Sequence, residues 1–116
     1  GAKSVLITSV MDSPDTMCVA VCDGDDFYKI DCGYVSRPFH GTGDLLTSVF
    51  TGARLSGYSV VNAANLAVDF LAKAIELTVK YPCMPIRHGV LFEPIIRDGY
   101  FAEKEHTNRI KRLNRE

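Results

Sequence analysis

Of the four cysteines, Cys18, Cys22, Cys32 and Cys83, no two stand as C-x-x-C, and no histidine lies at a zinc-like spacing from any of them. That argues against a structural zinc and against a disulfide framework. The pattern reads as buried, reduced thiols of a cytosolic protein. No apolar run is long enough to span a bilayer. Residues 1–10 lack the basic start and small-residue cleavage site of a secretory signal, and the absence of an initiator methionine reads as a truncated start. Charge of one sign is missing too. Thirteen Lys and Arg stand against fourteen Asp and Glu, and basic residues gather only at Arg109, Lys111, Arg112 and Arg115. Neither a nucleic-acid surface nor a membrane partner is expected from that balance. There is no G-x-x-x-x-G-K-S/T phosphate loop, no third glycine for a dinucleotide fingerprint, no internal repeat and no low-complexity linker.

What is present suits one modest domain: 116 residues, 47% of them hydrophobic. Ser4 to Val10 is a nearly continuous β-branched run. It is read as a strand buried on both faces, central in an α/β sheet, with Thr8 and Ser9 at its carboxyl end where such sheets place ligands. Thr16 to Cys22 and Phe27 to Cys32 flank Asp23-Gly24-Asp25-Asp26, an antiparallel hairpin. The acidic turn lacks the spaced ligands and distal glutamate of a calcium loop. Residues 33–40 form a connector. Helical spacing runs from Asp44 to Leu55 with a stop at Gly57, then from a Ser59 cap to about Lys80, ended by Pro82 and Pro85. Residues 87–93 read as a turn and a short extended segment. Residues 1–101 are taken as the folded portion and 102–116 as a charged tail, a solvated helix or a loose end.

The chemistry is concentrated in His40-Gly41-Thr42-Gly43-Asp44. Two glycines before a helix let backbone N–H groups converge on an anion, helped by the positive end of the helix dipole. Asp44 repels such an anion. It earns its place as a proton acceptor for an attacking hydroxyl, or else it is only a helix cap. His40 is a weaker acid–base candidate.

Ser4 to Val10 (SVLITSV), the hairpin, Gly41-Thr42-Gly43-Asp44-Leu45, two helices and His88-Gly89-Val90-Leu91-Phe92-Glu93-Pro94 come in an order that resembles the carboxyl-terminal part of the pyridoxal/pyridoxine/pyridoxamine kinases of the ribokinase-like superfamily. The resemblance runs to about residue 101. It implies a ribokinase-like, Rossmann-like three-layer α/β fold, of which this chain holds a few strands with a β-hairpin and two main helices. It implies ATP-dependent phosphorylation of the 5′-hydroxymethyl of a B6 vitamer, with Asp44 as base and Gly41, Thr42 and Gly43 as anion hole. Thr8 and Ser9 would lie near ATP phosphates or ribose, and Val35, Phe39 and Ala64 near adenine. Mg2+ would accompany ATP, its ligands mostly outside this chain, as would be most of the vitamin pocket. The full-length protein would be a cytoplasmic homodimer, and the isolated chain inactive. Hydroxymethylpyrimidine/phosphomethylpyrimidine kinase of thiamin synthesis is the sister reading. A non-catalytic nucleotide-binding fragment is the other.

Overall fold

The computed structural model describes residues 1–14, 16–34, 41–81, 89–103 and 105–113. Four strands, β1 (Ser4–Ser13), β2 (Thr16–Asp23), β3 (Asp26–Tyr34) and β4 (Ile110–Leu113), form one sheet in the order β1-β2-β3-β4. Every neighbouring pair is antiparallel. The β2–β3 hairpin closes where expected: Asp23 pairs with Asp26, and Gly24 between them has φ 62, a torsion glycine adopts without strain.

Two expectations are corrected. β1 is an edge strand within the described sheet, not a central one, and Val5 and Ile7 stand exposed rather than buried. A continuous β-branched run reports high strand propensity, and that cannot tell an open edge from a covered centre. The charged tail contains a strand, not a helix: Ile110 pairs with Ile30 and Phe27 with Leu113. There Ile110 meets a fully buried core residue, a contact that helical periodicity in the sequence cannot register.

Helices α1 (Thr42–Leu55) and α2 (Val60–Thr78) follow the hairpin, as the spacing predicts; a short α3 (Glu93–Arg97) begins at the end of the segment expected to be extended, of which residues 89–92 form no strand and 87–88 lie outside the described residues. Ser59 caps α2, its side chain accepting from the Asn62 N–H at 3.2 Å. α2 is buried nearly all round because it serves two cores. Ala64, Ala67, Val68 and Ala74 meet Val19, Val21 and Ile30 of the sheet. Ala63, Leu66 and Phe70 meet Ala53 of α1 and Tyr100. Alanine at the sheet-facing positions lets the helix axis approach the strands closely, and Phe70 fills the second core against Tyr100 at 5.2 Å and Phe101 at 5.0 Å.

The end of α2 is tied to the returning chain by Thr78. Its buried hydroxyl donates to the Ala74 carbonyl and accepts from the Leu91 N–H, both at 2.7 Å. Thr78→Val keeps the shape and strands the Leu91 amide. We expect a loss of about 1–3 kcal/mol in urea unfolding, the cost of an unpaired buried donor. A variant as stable as the parent would show that this tie contributes nothing.

Candidate functional site

α1 begins with the glycine loop. Gly41 is the N-cap, with φ 80 and ψ 5, and having no side chain it offers no cap of its own. A β-carbon at Gly41 would meet nothing within 4 Å, so glycine is required there by torsion, not by space. The first helical bond is Leu45 N–H to Gly41 C=O at 3.0 Å. The N–H groups of Gly41, Thr42, Gly43 and Asp44 precede it and have no partner within the helix. Gly43 also has open space where a side chain would stand.

Asp44 lies in the first turn and is exposed. It does not cap: among the described residues its carboxylate has no hydrogen-bond or ion-pair partner, and only its backbone carbonyl is engaged, by the Ser48 hydroxyl at 2.8 Å. Among the described residues the carboxylate thus stands uncompensated beside the N–H groups of the first helical turn.

Thr8 and Ser9 are exposed on β1, midway along it rather than at its carboxyl end, because the strand runs on to Ser13. Pairing with β2 passes from Ile7↔Ala20 to Val10↔Cys18, so both residues stand opposite Val19 alone, a β-bulge. Ser9 has φ 60, and among the described residues it is the one non-glycine with positive φ. Such a torsion costs on the order of 1–3 kcal/mol and is concentrated at functional sites. Nothing in the sequence marks it, since serine has no special preference for that region. β3 ends at Tyr34, paired with Thr16 beside the β1–β2 turn, so the chain leaves for α1 from that end of the sheet.

Ala64 does not line a site. It is fully buried between α2 and the sheet, which corrects its assignment as an adenine contact. Val35, Phe39 and His40 lie outside the described residues. Among the described residues no three His, Cys, Asp or Glu side chains gather as metal ligands.

A groove of about 590 Å³ went unread in the sequence. Leu45, Ser48 and Val49 of α1, with Phe92, Ile96 and Phe101, line it, and it starts one residue beyond Asp44. Its walls come from segments some fifty positions apart, which no local pattern reports. Cys32 is not a nucleophile candidate: burial, then the neighbouring Cys18, pushes its thiol up to about 11.

No protein-family model matches the chain. In sequence it is similar to pyridoxine/pyridoxal/pyridoxamine kinases of Bordetella pertussis, 33% identical over 85 residues, and of Bordetella bronchiseptica, 32% identical over 85 residues. Each match takes in 71% of this chain, and the chain spans 30% of the length of those relatives. In structure it is similar to a protein of Bacteroides thetaiotaomicron assigned as a phosphomethylpyrimidine kinase, with TM-score 0.86 and 28% identity over 97% of this chain and 38% of that one. The orthorhombic form of that protein, with pyridoxal, gives 0.84 over 40% of its chain. Pyridoxal kinase of Entamoeba histolytica, at 18% identity and TM-score 0.73, over 97% of this chain and 39% of that one, shares the fold.

Proposed function

Since the chain has the fold of a portion of the ribokinase-like kinases and is a relative of the pyridoxine/pyridoxal/pyridoxamine kinases, we propose that it supplies the anion hole and catalytic base of an ATP-dependent vitamin kinase. The observation that carries this reading is the start of α1 on a glycine N-cap, with Asp44 exposed and, among the described residues, unpartnered beside the N–H groups of the first turn.

In the step this implies, the 5′-hydroxymethyl oxygen of a B6 vitamer attacks the γ-phosphorus of ATP, and the bond from that phosphorus to the β,γ-bridging oxygen breaks. ADP leaves with that electron pair, and Asp44 takes the hydroxyl proton. Negative charge gathers on the transferring phosphoryl oxygens, where the amides of Gly41, Thr42 and Gly43 donate without having to reorganise. Thr8 and Ser9 face the ATP phosphates in this reading, supported by the bulge and the Ser9 torsion. Val35 and Phe39 remain adenine contacts by proposal. Mg2+ would accompany ATP, its protein ligands mostly outside this chain, and would neutralise charge on the phosphates. The full-length protein is proposed to be a cytoplasmic homodimer.

Pyridoxal is favoured as acceptor by the names of the curated relatives and by the crystal form of a structural neighbour that holds it. Hydroxymethylpyrimidine or its phosphate is the second reading, favoured by that neighbour's assigned activity. The test is ADP release by the native polypeptide that contains these residues, with pyridoxal, pyridoxine and hydroxymethylpyrimidine in parallel. The larger kcat/KM is expected with the B6 vitamers, and preference for the pyrimidine would transfer the assignment to the thiamin branch. The isolated 116-residue chain is expected to turn over none of them. ATP binding without ADP release by the native polypeptide would leave only a nucleotide-binding module.

A further inference from the structure

Both strands that flank β2 carry an extra residue at the same level of the sheet. On one side, Thr8 and Ser9 of β1 stand together opposite Val19. On the other, the β2–β3 register slips where Met17 pairs with Gly33 and Cys18 with Asp31, with Cys32 between them. The two bulges are built from different residues. Beside the β3 bulge, Gly33 has φ 82, which glycine adopts at little cost. In the β1 bulge the left-handed residue is Ser9, with φ 60. Glycine would meet that torsion with less strain, so position 9 keeps a hydroxyl against a torsional cost.

The register also fixes which face the pair occupies. Val19 is buried in the core that holds Ala64, Ala67 and Val68 of α2, so residues opposite it lie on the helix-bearing face of the sheet. In a regular strand successive side chains alternate between faces, and only one of Thr8 and Ser9 shares that face. If the Ile7↔Ala20 register ran on, Ser9 would pass to the other side; if the Val10↔Cys18 register ran back, Thr8 would. The bulge sets both residues opposite Val19, and both are exposed.

We propose that Ser9 is a positioning residue: its left-handed torsion holds the bulge that keeps Thr8 and Ser9 on one face, so that two adjacent hydroxyls donate to the oxygens of one polyphosphate. The inference rests on the ATP reading above and deepens it. What it adds is that the backbone at Ser9, beyond its hydroxyl, governs nucleotide affinity.

Three substitutions separate torsion from hydroxyl. Ser9→Gly loses the hydroxyl and keeps the torsion. Ser9→Ala loses the same hydroxyl and bears the torsion less easily. Ser9→Thr keeps a hydroxyl, but its β-branched side chain opposes positive φ. ADP release with pyridoxal as acceptor is measured in the native polypeptide that contains these residues. Ser9→Gly is expected to raise KM for ATP about threefold, with the melting temperature at or above the parent's. Ser9→Ala is expected to exceed that value, and Ser9→Thr to raise KM about tenfold or more, each with a smaller change in kcat. A hydroxyl-only role gives the reverse order, with Ser9→Thr near the parent and Ser9→Gly equal to Ser9→Ala. A purely structural role lowers the melting temperature of the Thr and Ala variants and leaves KM for ATP unmoved. Either result overturns the proposal, and the Gly–Ala comparison decides it if Ser9→Thr does not fold. Absence of ATP-dependent ADP release from the parent itself would overturn the ATP reading and this inference together, whereas parental turnover with the reversed order overturns this inference alone.

Discussion

Asp44→Asn is expected to lower turnover by about 10²- to 10⁴-fold, the usual contribution of a positioned general base, while ATP affinity stays level or rises slightly. Asparagine keeps the size and loses the proton acceptor. It also removes a negative charge from beside the anion hole, so ATP is repelled less. Stability is not expected to move, because the Asp44 carboxylate caps nothing and pairs with nothing among the described residues. A capping role predicts the reverse: a loss of ~1 kcal/mol with turnover intact. The measurement is kcat, ATP affinity and melting temperature of the native polypeptide and its variant, and near-parental turnover would remove Asp44 from the mechanism.

The largest stability effect is expected at Asp69. Its side chain is completely buried on α2. It accepts from the Tyr100 hydroxyl at 2.7 Å and the Arg109 Nε at 3.1 Å, with Lys73 Nζ at 3.8 Å. Four residues earlier, Asn65 donates to the Thr107 carbonyl and accepts from the Arg109 N–H. Together these two side chains fasten the returning chain that becomes β4. Asp69→Ala leaves Arg109 and the Tyr100 hydroxyl facing a void, and a cost of about 3–5 kcal/mol is expected, as for other buried pairs that lose one partner. Hydrogen exchange at residues 109–113 should accelerate with it. Loss of less than about 1 kcal/mol would show that Arg109 finds water instead.

The same cluster sets a pH dependence. Burial first, then the hydrogen bond to Asp69, raises the Tyr100 phenol far above its ordinary value. The folded state therefore favours the neutral phenol. That stabilisation is fully present below the ordinary tyrosine pKa of ~10 and is lost as pH rises beyond it toward the raised value. The melting temperature should fall above about pH 10, and less so in Tyr100→Phe.

Much of the architecture is local, and local rules read it. Asp23-Gly24 closes a hairpin because glycine accepts the turn's positive φ. Ser59 starts α2 because its oxygen reaches the Asn62 amide, and Gly57, with φ 101, ends the helix before it. Gly41-Thr42-Gly43-Asp44 opens a helix whose first N–H groups receive no acceptor from the N-cap residue, because glycine there has no side chain. Each of these depends on residues within four positions of one another, so one sequence suffices to see them.

What only the tertiary structure decided depends on residues far apart. Val5 and Ile7 have the same β-branched or apolar character whether a neighbour covers them or not, so the edge position of β1 was invisible. Ala64 reads alike as a ligand wall or a core residue until β2 and β3 close over it. The charge of 109–113 suggests solvent. Yet Asp69, 40 positions away, offers Arg109 a buried carboxylate, and Ile30 offers Ile110 a place in the core. Ser9 takes its strained torsion only because the β1–β2 register slips around Val19. Sequence by itself determined the turns, the caps and the open helix start, which are short-range hydrogen-bond and torsional matters. Burial, strand order and the fastening of the carboxyl-terminal strand are collective, and only the assembled chain sets them.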